Sequence, residues 1–315
     1  MSSQTFATIQ DNIREQFIQK KRESPERFQR RLNFSWSNWG FGLEPLDVSC
    51  ERLQRNGIEW IELHGNHYGA DLGYKVDETL AVLKAHGLKA SGVCGMFSND
   101  NDLSSNRPIQ QQEAIDYIRR EIAFTRDVGG HYLLVVPGSV GRFEAYDESE
   151  FPRSVDALKI VADEFTEAGV RAAIEPIRAA EVSLVRTVSD AIEYIEAVGS
   201  PGVQHINGDI YHMQSEEQNV AQAIVQAGER LANLHVADSN RMALGEGSMD
   251  VDAIIMALYL IGHNAPDRFV TAEPLGPGAG PYAARTAMPD GEALDRLVSR
   301  TISYFREREE AVLAL

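Results

Sequence analysis

The sequence predicts an α/β chain folded as a (β/α)8 TIM barrel with a short N-terminal extension. Two observations carry this expectation. Eight apolar, β-prone runs alternate with eight segments of helical period, the order expected of parallel βαβ units. Several helical segments also end on a glycine just before the next strand, at Gly57, Gly87, Gly129, Gly169 and Gly199. Glycine is favoured there because the residue after a helix commonly takes a left-handed conformation. A doubly wound sheet is the competing fold, but no Gly-x-Gly-x-x-Gly follows the first strand.

Residues 1–30 read as an N-terminal arm and residues 31–315 as the catalytic barrel. In the arm, Ile9, Ile13 and Phe17 recur every four residues, a helical stripe among dense charge. Such a stripe packs an arm on the barrel exterior or offers it to a partner. Strands are expected at 32–36, 60–63, 88–93, 131–136, 170–174, 203–207, 231–236 and 269–272. Helices are expected at 46–56, 76–86, 109–128, 154–168, 189–198, 216–228, 251–261 and 291–308. Ser189, Asp190 and Asp250 stand where helix N-caps belong. The Gly/Pro-rich stretch from Gly276 to Pro281 reads as a loop after the eighth strand.

The bulk numbers narrow the classes. A length of 315 residues with 43% hydrophobic content suits one large domain. Net charge is −17, which argues against nucleic acid as a partner, since phosphate contact needs a basic surface. No run is long and apolar enough to span a membrane. Two cysteines, Cys50 and Cys94, make no disulfide framework, and the first residues lack the apolar stretch of a signal peptide; a cytoplasmic location is expected.

In such a barrel, the C-terminal strand ends line the active site. Here those ends carry Trp36, Trp39, Glu62, His64, His67, Glu175, Asp209, His212, His235, Arg241 and Glu273. Core packing alone would leave several of these charges buried and unpaired. Glu175, Asp209, His235 and Glu273 follow strands five to eight and would converge on one mouth. Three carboxylates and an imidazole without thiolate suit Mn²⁺, with Co²⁺ or Mg²⁺ as alternatives. His64 and His67 follow strand two and bring two more imidazoles near the site, either for loop hydrogen bonding or for catalysis.

These motifs resemble the divalent-metal sugar isomerase and epimerase superfamily of xylose isomerase-like barrels, over roughly residues 31–305. Glu175-Pro-Ile-Arg178 with Glu181, Asp209-Ile-Tyr-His212, His235 followed by Arg241, and Glu273-Pro each resemble a family motif. The resemblance implies that Glu175, Asp209, His235 and Glu273 hold the metal. His212, Arg241 and Glu181 would bind sugar oxygens. Glu175 and Glu273 would also exchange a proton with carbon from opposite faces.

The arm, the strand-two histidines and the Gly/Pro-rich loop make the chain similar to the catalytic subunits of C-glycoside deglycosidases. That resemblance implies cleavage of a 3-oxo-C-glycoside by β-elimination, with His212, His64 or His67 as base. Trp36, Trp39 and Phe97 would meet the aglycone, and a small second subunit and homo- or hetero-oligomers are implied. A ketose 3-epimerase or inosose isomerase acting through an enediolate is the alternative, since the shared residues serve both. Metal-dependent abasic-site endonucleases of similar fold need more histidines and a basic groove. A non-enzymatic sugar-binding barrel would not need four convergent ligands.

Overall fold

The computed structural model describes residues 5–65, 73–276, 280, 284, 287 and 290–315. Eight parallel strands close into a barrel in chain order. They are β1 (Phe34–Ser37), β2 (Trp60–His64), β3 (Lys89–Cys94), β4 (Tyr132–Val135), β5 (Arg171–Ile174), β6 (His205–Asp209), β7 (Leu231–Val236) and β8 (Phe269–Ala272). β1 pairs with both β2 and β8, so every strand has two neighbours. The strand expectations therefore hold to within a residue or two for most strands.

Strand alternation decides which side chains enter the barrel. On β1, Ser35 faces inward and its Oγ lies 2.8 Å from Ser91 Oγ of β3. Trp36, between Ser35 and Ser37, faces outward and stacks on Phe41 at 5.8 Å. At the N-terminal end the interior is closed by Tyr132, Ala173, Ala232 and Phe269, with Trp60 against them.

The helices wrap this barrel. α1 (Phe6–Glu23) is the arm; α2 (Leu46–Arg55), α3 (Val76–His86) and α4 (Pro108–Asp127) follow the first three strands. The expected helix at 154–168 is split into α5 (Glu150–Lys159) and α6 (Ala162–Ala168). α7 (Val188–Val198) begins one residue before the expected start at Ser189. Its N-cap is Thr187, which forms a capping box with Asp190. The expected helix at 216–228 is the shorter α9 (Val220–Ala227), capped by Asn219, and α8 (Ile210–Glu216), which was not expected, precedes it. α10 (Val251–Leu260) is capped by Asp250, as expected, and α11 (Gly291–Ala314) closes the chain. All five helix-ending glycines have φ between 67° and 78°.

α1 lies on the outside of the barrel. Its Ile9, Ile13 and Phe17 are buried, and Phe17 meets Phe28 at 5.3 Å and Tyr259 of α10 at 6.4 Å. Complete burial of Phe17 contributes roughly 1.5–3 kcal/mol. Among the described residues, no helix is long and apolar enough to cross a membrane.

Candidate metal and active site

The Asp-x-x-His spacing has a local cause. Asp209 is the last residue of β6 and the N-cap of α8, its Oδ1 accepting from Tyr211 N at 2.8 Å. One helical turn later, His212 comes back beside it, with Nε2 at 3.2 Å from Asp209 Oδ2. That approach is off hydrogen-bond alignment: Oδ2 is buried with no hydrogen-bond partner among the described residues.

Glu175, Asp209 and His235 each bring a donor atom within 4.8 Å of the others. His235 Nδ1 lies 3.6 Å from Glu175 Oε1 and 3.2 Å from Glu273 Oε2. All four side chains are buried. The other ring nitrogen, Nε2, is held by both oxygens of Glu62, each at 3.0 Å. Nδ1 is the ring atom on the side of Glu175 and Glu273, with Asn207 Nδ2 also 3.3 Å from it.

The charges in this cluster are crowded. Burial, together with the charge of Glu273, pushes the Asp209 carboxyl well above the usual range, and burial also raises Glu175. Burial would raise Glu273 as well. The charges of His235 and Arg241 outweigh it and hold Glu273 at about 2. Burial opposes a charge on His235, but Glu273 and Glu62 overcome that and raise it well above the ordinary imidazole value. His212 is driven the other way, by burial and by Arg241, and stays neutral. Three carboxylates, one imidazole nitrogen and an unpartnered Asp209 oxygen fit a divalent cation, whose charge would relieve this crowding.

A cavity opens over the cluster. Its polar lining is Glu175, Glu181, His212, His235, Arg241 and Glu273; its apolar lining includes Trp39, Met96, Phe97, Val136, Val140 and Ile177. Trp39 Nε1 donates to Glu273 Oε2 at 2.8 Å, and Arg241 Nη2 to Glu273 Oε1 at 3.3 Å. The Arg241 guanidinium lies over Trp39 at 5.6 Å and over Tyr211 at 4.6 Å. Arg241 has φ of 62° in a loop organised by Asp238, whose carboxylate accepts from the amides of Ser239, Gly245 and Met249. Glu181 accepts from Arg178 Nε at 2.7 Å.

The structure thus brings together Glu175, Glu181, Asp209, His212, His235, Arg241, Glu273, Trp39 and Phe97. It does not bring Trp36: strand alternation turns that ring outward onto Phe41. His64 is buried at the end of β2, its amide held by Asn38 Oδ1 at 2.8 Å, and it is not among the described lining residues. His67 lies outside the described residues, as does most of the stretch from Gly276 to Pro281. Cys94 lines the cavity, and burial raises its thiol well above the ordinary value, as suits an apolar filler.

Sequence reasoning left four residues without a role: Glu62, Asn207, Asn233 and Thr271. All four are fully buried. The last three stand two positions before Asp209, His235 and Glu273, on the same face of β6, β7 and β8. That repeated polar position inside apolar strands was the available signal.

Comparison with known proteins agrees with this geometry. The profile of the xylose isomerase-like TIM barrel family matches residues 50–285, and the chain belongs to that family. It is 26% identical over 228 residues to a ketose 3-epimerase of Arthrobacter globiformis, covering 72% of this chain and 77% of that one. It is 30% identical over 237 residues to a 3-dehydro-D-guloside 4-epimerase of Escherichia coli, covering 72% of this chain and 87% of that one. The solved structure of an L-ribulose 3-epimerase superposes with a TM-score of 0.78 at 22% identity, covering 90% of this chain and 96% of that one. At that identity the superposition speaks for the fold.

Proposed function

We propose that this protein is a divalent-metal-dependent epimerase of keto-sugars. The observation that carries the reading is the convergence of Glu175, Asp209, His235 and Glu273 beneath one cavity. Relatives acting on ketoses and on a 3-dehydro-glycoside support epimerisation ahead of the carbon–carbon cleavage expected first from the sequence. Mn²⁺ is the metal favoured by the donor set.

A C–H beside a carbonyl is a poor acid, so the enzyme must stabilise the enediolate that forms when the proton leaves. A divalent cation held by the four ligands would supply positive charge where that oxygen charge develops. Glu175 and Glu273 come from β5 and β8, on either side of His235, which suits one to remove the proton and the other to return it. Arg241, stacked between Trp39 and Tyr211, presents a fixed cation to a sugar oxygen. His212 and Glu181 complete the polar lining and are assigned to sugar hydroxyls.

Cleavage of a 3-oxo-C-glycoside begins with the same proton removal and is the second reading. The apolar wall of Met96, Phe97, Val136 and Val140 favours it, because an aglycone could rest there. One experiment separates the two. Mn²⁺-loaded protein is incubated in D₂O with D-psicose, with L-ribulose and with 3-oxo-C-glucosides, and products are followed by NMR and chromatography. Epimer carrying deuterium at the carbon next to the carbonyl supports the main reading. Release of free aglycone supports the second. No exchange and no release with any substrate would sink both.

A further inference from the structure

We infer that Glu62, the buried amides of Asn207 on β6 and Asn233 on β7, and the Thr271 hydroxyl on β8 are positioning residues that set the metal affinity of the site. This inference rests on the metal reading proposed above.

Hydrogen-bond directions in the ladder are fixed from its ends. Asn207 Nδ2 lies 3.0 Å from Glu175 Oε1, and an ionised carboxylate accepts only. The Asn207 amide therefore turns its Oδ1 to Asn233, whose Nδ2 donates at 2.7 Å. The same Asn233 nitrogen also lies 3.3 Å from Glu62 Oε1, a second acceptor. The Asn233 Oδ1 must then face Thr271, whose hydroxyl donates at 2.7 Å. One orientation satisfies the whole row, from Thr271 through Asn233 and Asn207 to the ligand Glu175.

Glu62 closes the network on the other side. Its Oε1 accepts from Tyr132 Oη at 2.7 Å, and both of its oxygens face His235 Nε2. With Nε2–H committed to Glu62, the ring is held with Nδ1 toward Glu175 and Glu273. Two of the four ligands are thus aimed by groups that never touch the cation. Outer partners of this kind typically change metal affinity by 10–100-fold.

The test is calorimetric titration of the full chain with Mn²⁺ alone, alongside melting temperatures of the metal-free proteins. Glu62→Gln removes the charge and leaves His235 Nε2–H one oxygen, with an amide N–H in place of the other, and its Mn²⁺ dissociation constant is expected to rise roughly 10–100-fold. Thr271→Val removes the terminal donor and leaves Asn233 Oδ1 buried without it, which loosens the row that ends on Glu175, and about a tenfold rise is expected. Thr271→Ser restores the donor and should bring the affinity back to near the wild-type value. A merely structural role would lower melting temperatures and leave Mn²⁺ affinity in place. Wild-type affinity in Glu62→Gln or in Thr271→Val would overturn the inference. If Glu62→Gln fails to fold, the Thr271 pair decides alone. A wild-type protein that binds no Mn²⁺ would instead remove the metal reading on which the inference stands.

Discussion

Trp39 and Glu273 are tied across the seam between β1 and β8, the indole Nε1–H donating to Glu273 Oε2 at 2.8 Å. The other carboxylate oxygen takes Arg241. A residue in the turn after β1 thus fixes the residue that follows β8, and the closure of the barrel is what makes them neighbours.

Trp39→Phe keeps an aromatic ring beside Arg241 but removes the donor to Glu273. A hydrogen bond to a charged group is worth about 1.5–3 kcal/mol, so kcat on a keto-sugar should fall roughly tenfold to a hundredfold. The melting temperature should move little. Steady-state kinetics with an unchanged kcat would show that Glu273 is held without the indole.

Arg241→Lys keeps the charge and loses the flat guanidinium that stacks between Trp39 and Tyr211. A desolvated cation–π contact is worth about 2 kcal/mol, which predicts a KM increase of roughly thirtyfold. A KM within twofold of wild type would remove Arg241 from substrate binding.

Metal and fold should be linked. At 100 times its dissociation constant, Mn²⁺ is expected to stabilise the folded chain by about 2.7 kcal/mol. A chelator should reverse this gain, and Asp209→Asn should abolish it. Thermal unfolding with and without Mn²⁺ measures the effect; equal curves for wild type would count against the site.

Glu121 of α4 makes a separate prediction about pH. Burial pushes its carboxyl up to about 8, against a smaller opposing pull from Arg120. The native state therefore keeps a proton that the unfolded chain gives up near pH 4.5. Stability is lost as pH rises between those two values. Glu121→Gln escapes that loss, and its advantage over wild type should reach the order of a few kcal/mol at pH 8. Below pH 4 the advantage should vanish. Denaturant unfolding at both pH values checks it, and a constant difference would point to packing instead.

The arm offers a test of its two readings. Phe17→Ala should cost about 3–5 kcal/mol in unfolding free energy, because its ring is wholly buried against Phe28 and Tyr259. Mn²⁺ affinity should stay unchanged, since α1 is remote from the ligands. A negligible loss of stability would favour the partner-binding reading of the arm.

Much of this was legible in the sequence because the signals are local. Glycine at a left-handed helix end, polar residues breaking apolar runs and the Asp-x-x-His turn each depend on a few neighbouring residues. These gave the eight strands, the closed barrel and the four convergent side chains Glu175, Asp209, His235 and Glu273. The helix boundaries at 154–168 and 216–228 were less legible. A helical period continues through a short break, and only the caps and turns show where the chain bends.

Other features were decided by tertiary structure alone. Trp36 looked like a pocket residue because it stands at a strand end, yet strand register turned it outward onto Phe41. Glu62 was noted at a strand end without a role, and Asn207, Asn233 and Thr271 stand in apolar strands with no local motif to mark them. Their meaning comes from partners far away in sequence, such as His235 for Glu62, which barrel closure alone brings within 3.0 Å. The sequence by itself determined that Glu175, Asp209, His235 and Glu273 stand at the C-terminal ends of strands five to eight, because strand period and turn chemistry are local. Which of them face one another, and which nitrogen of His235 lies toward Glu175 and Glu273, was decided by register and closure, because hydrogen bonds between strands exist only once the barrel has formed.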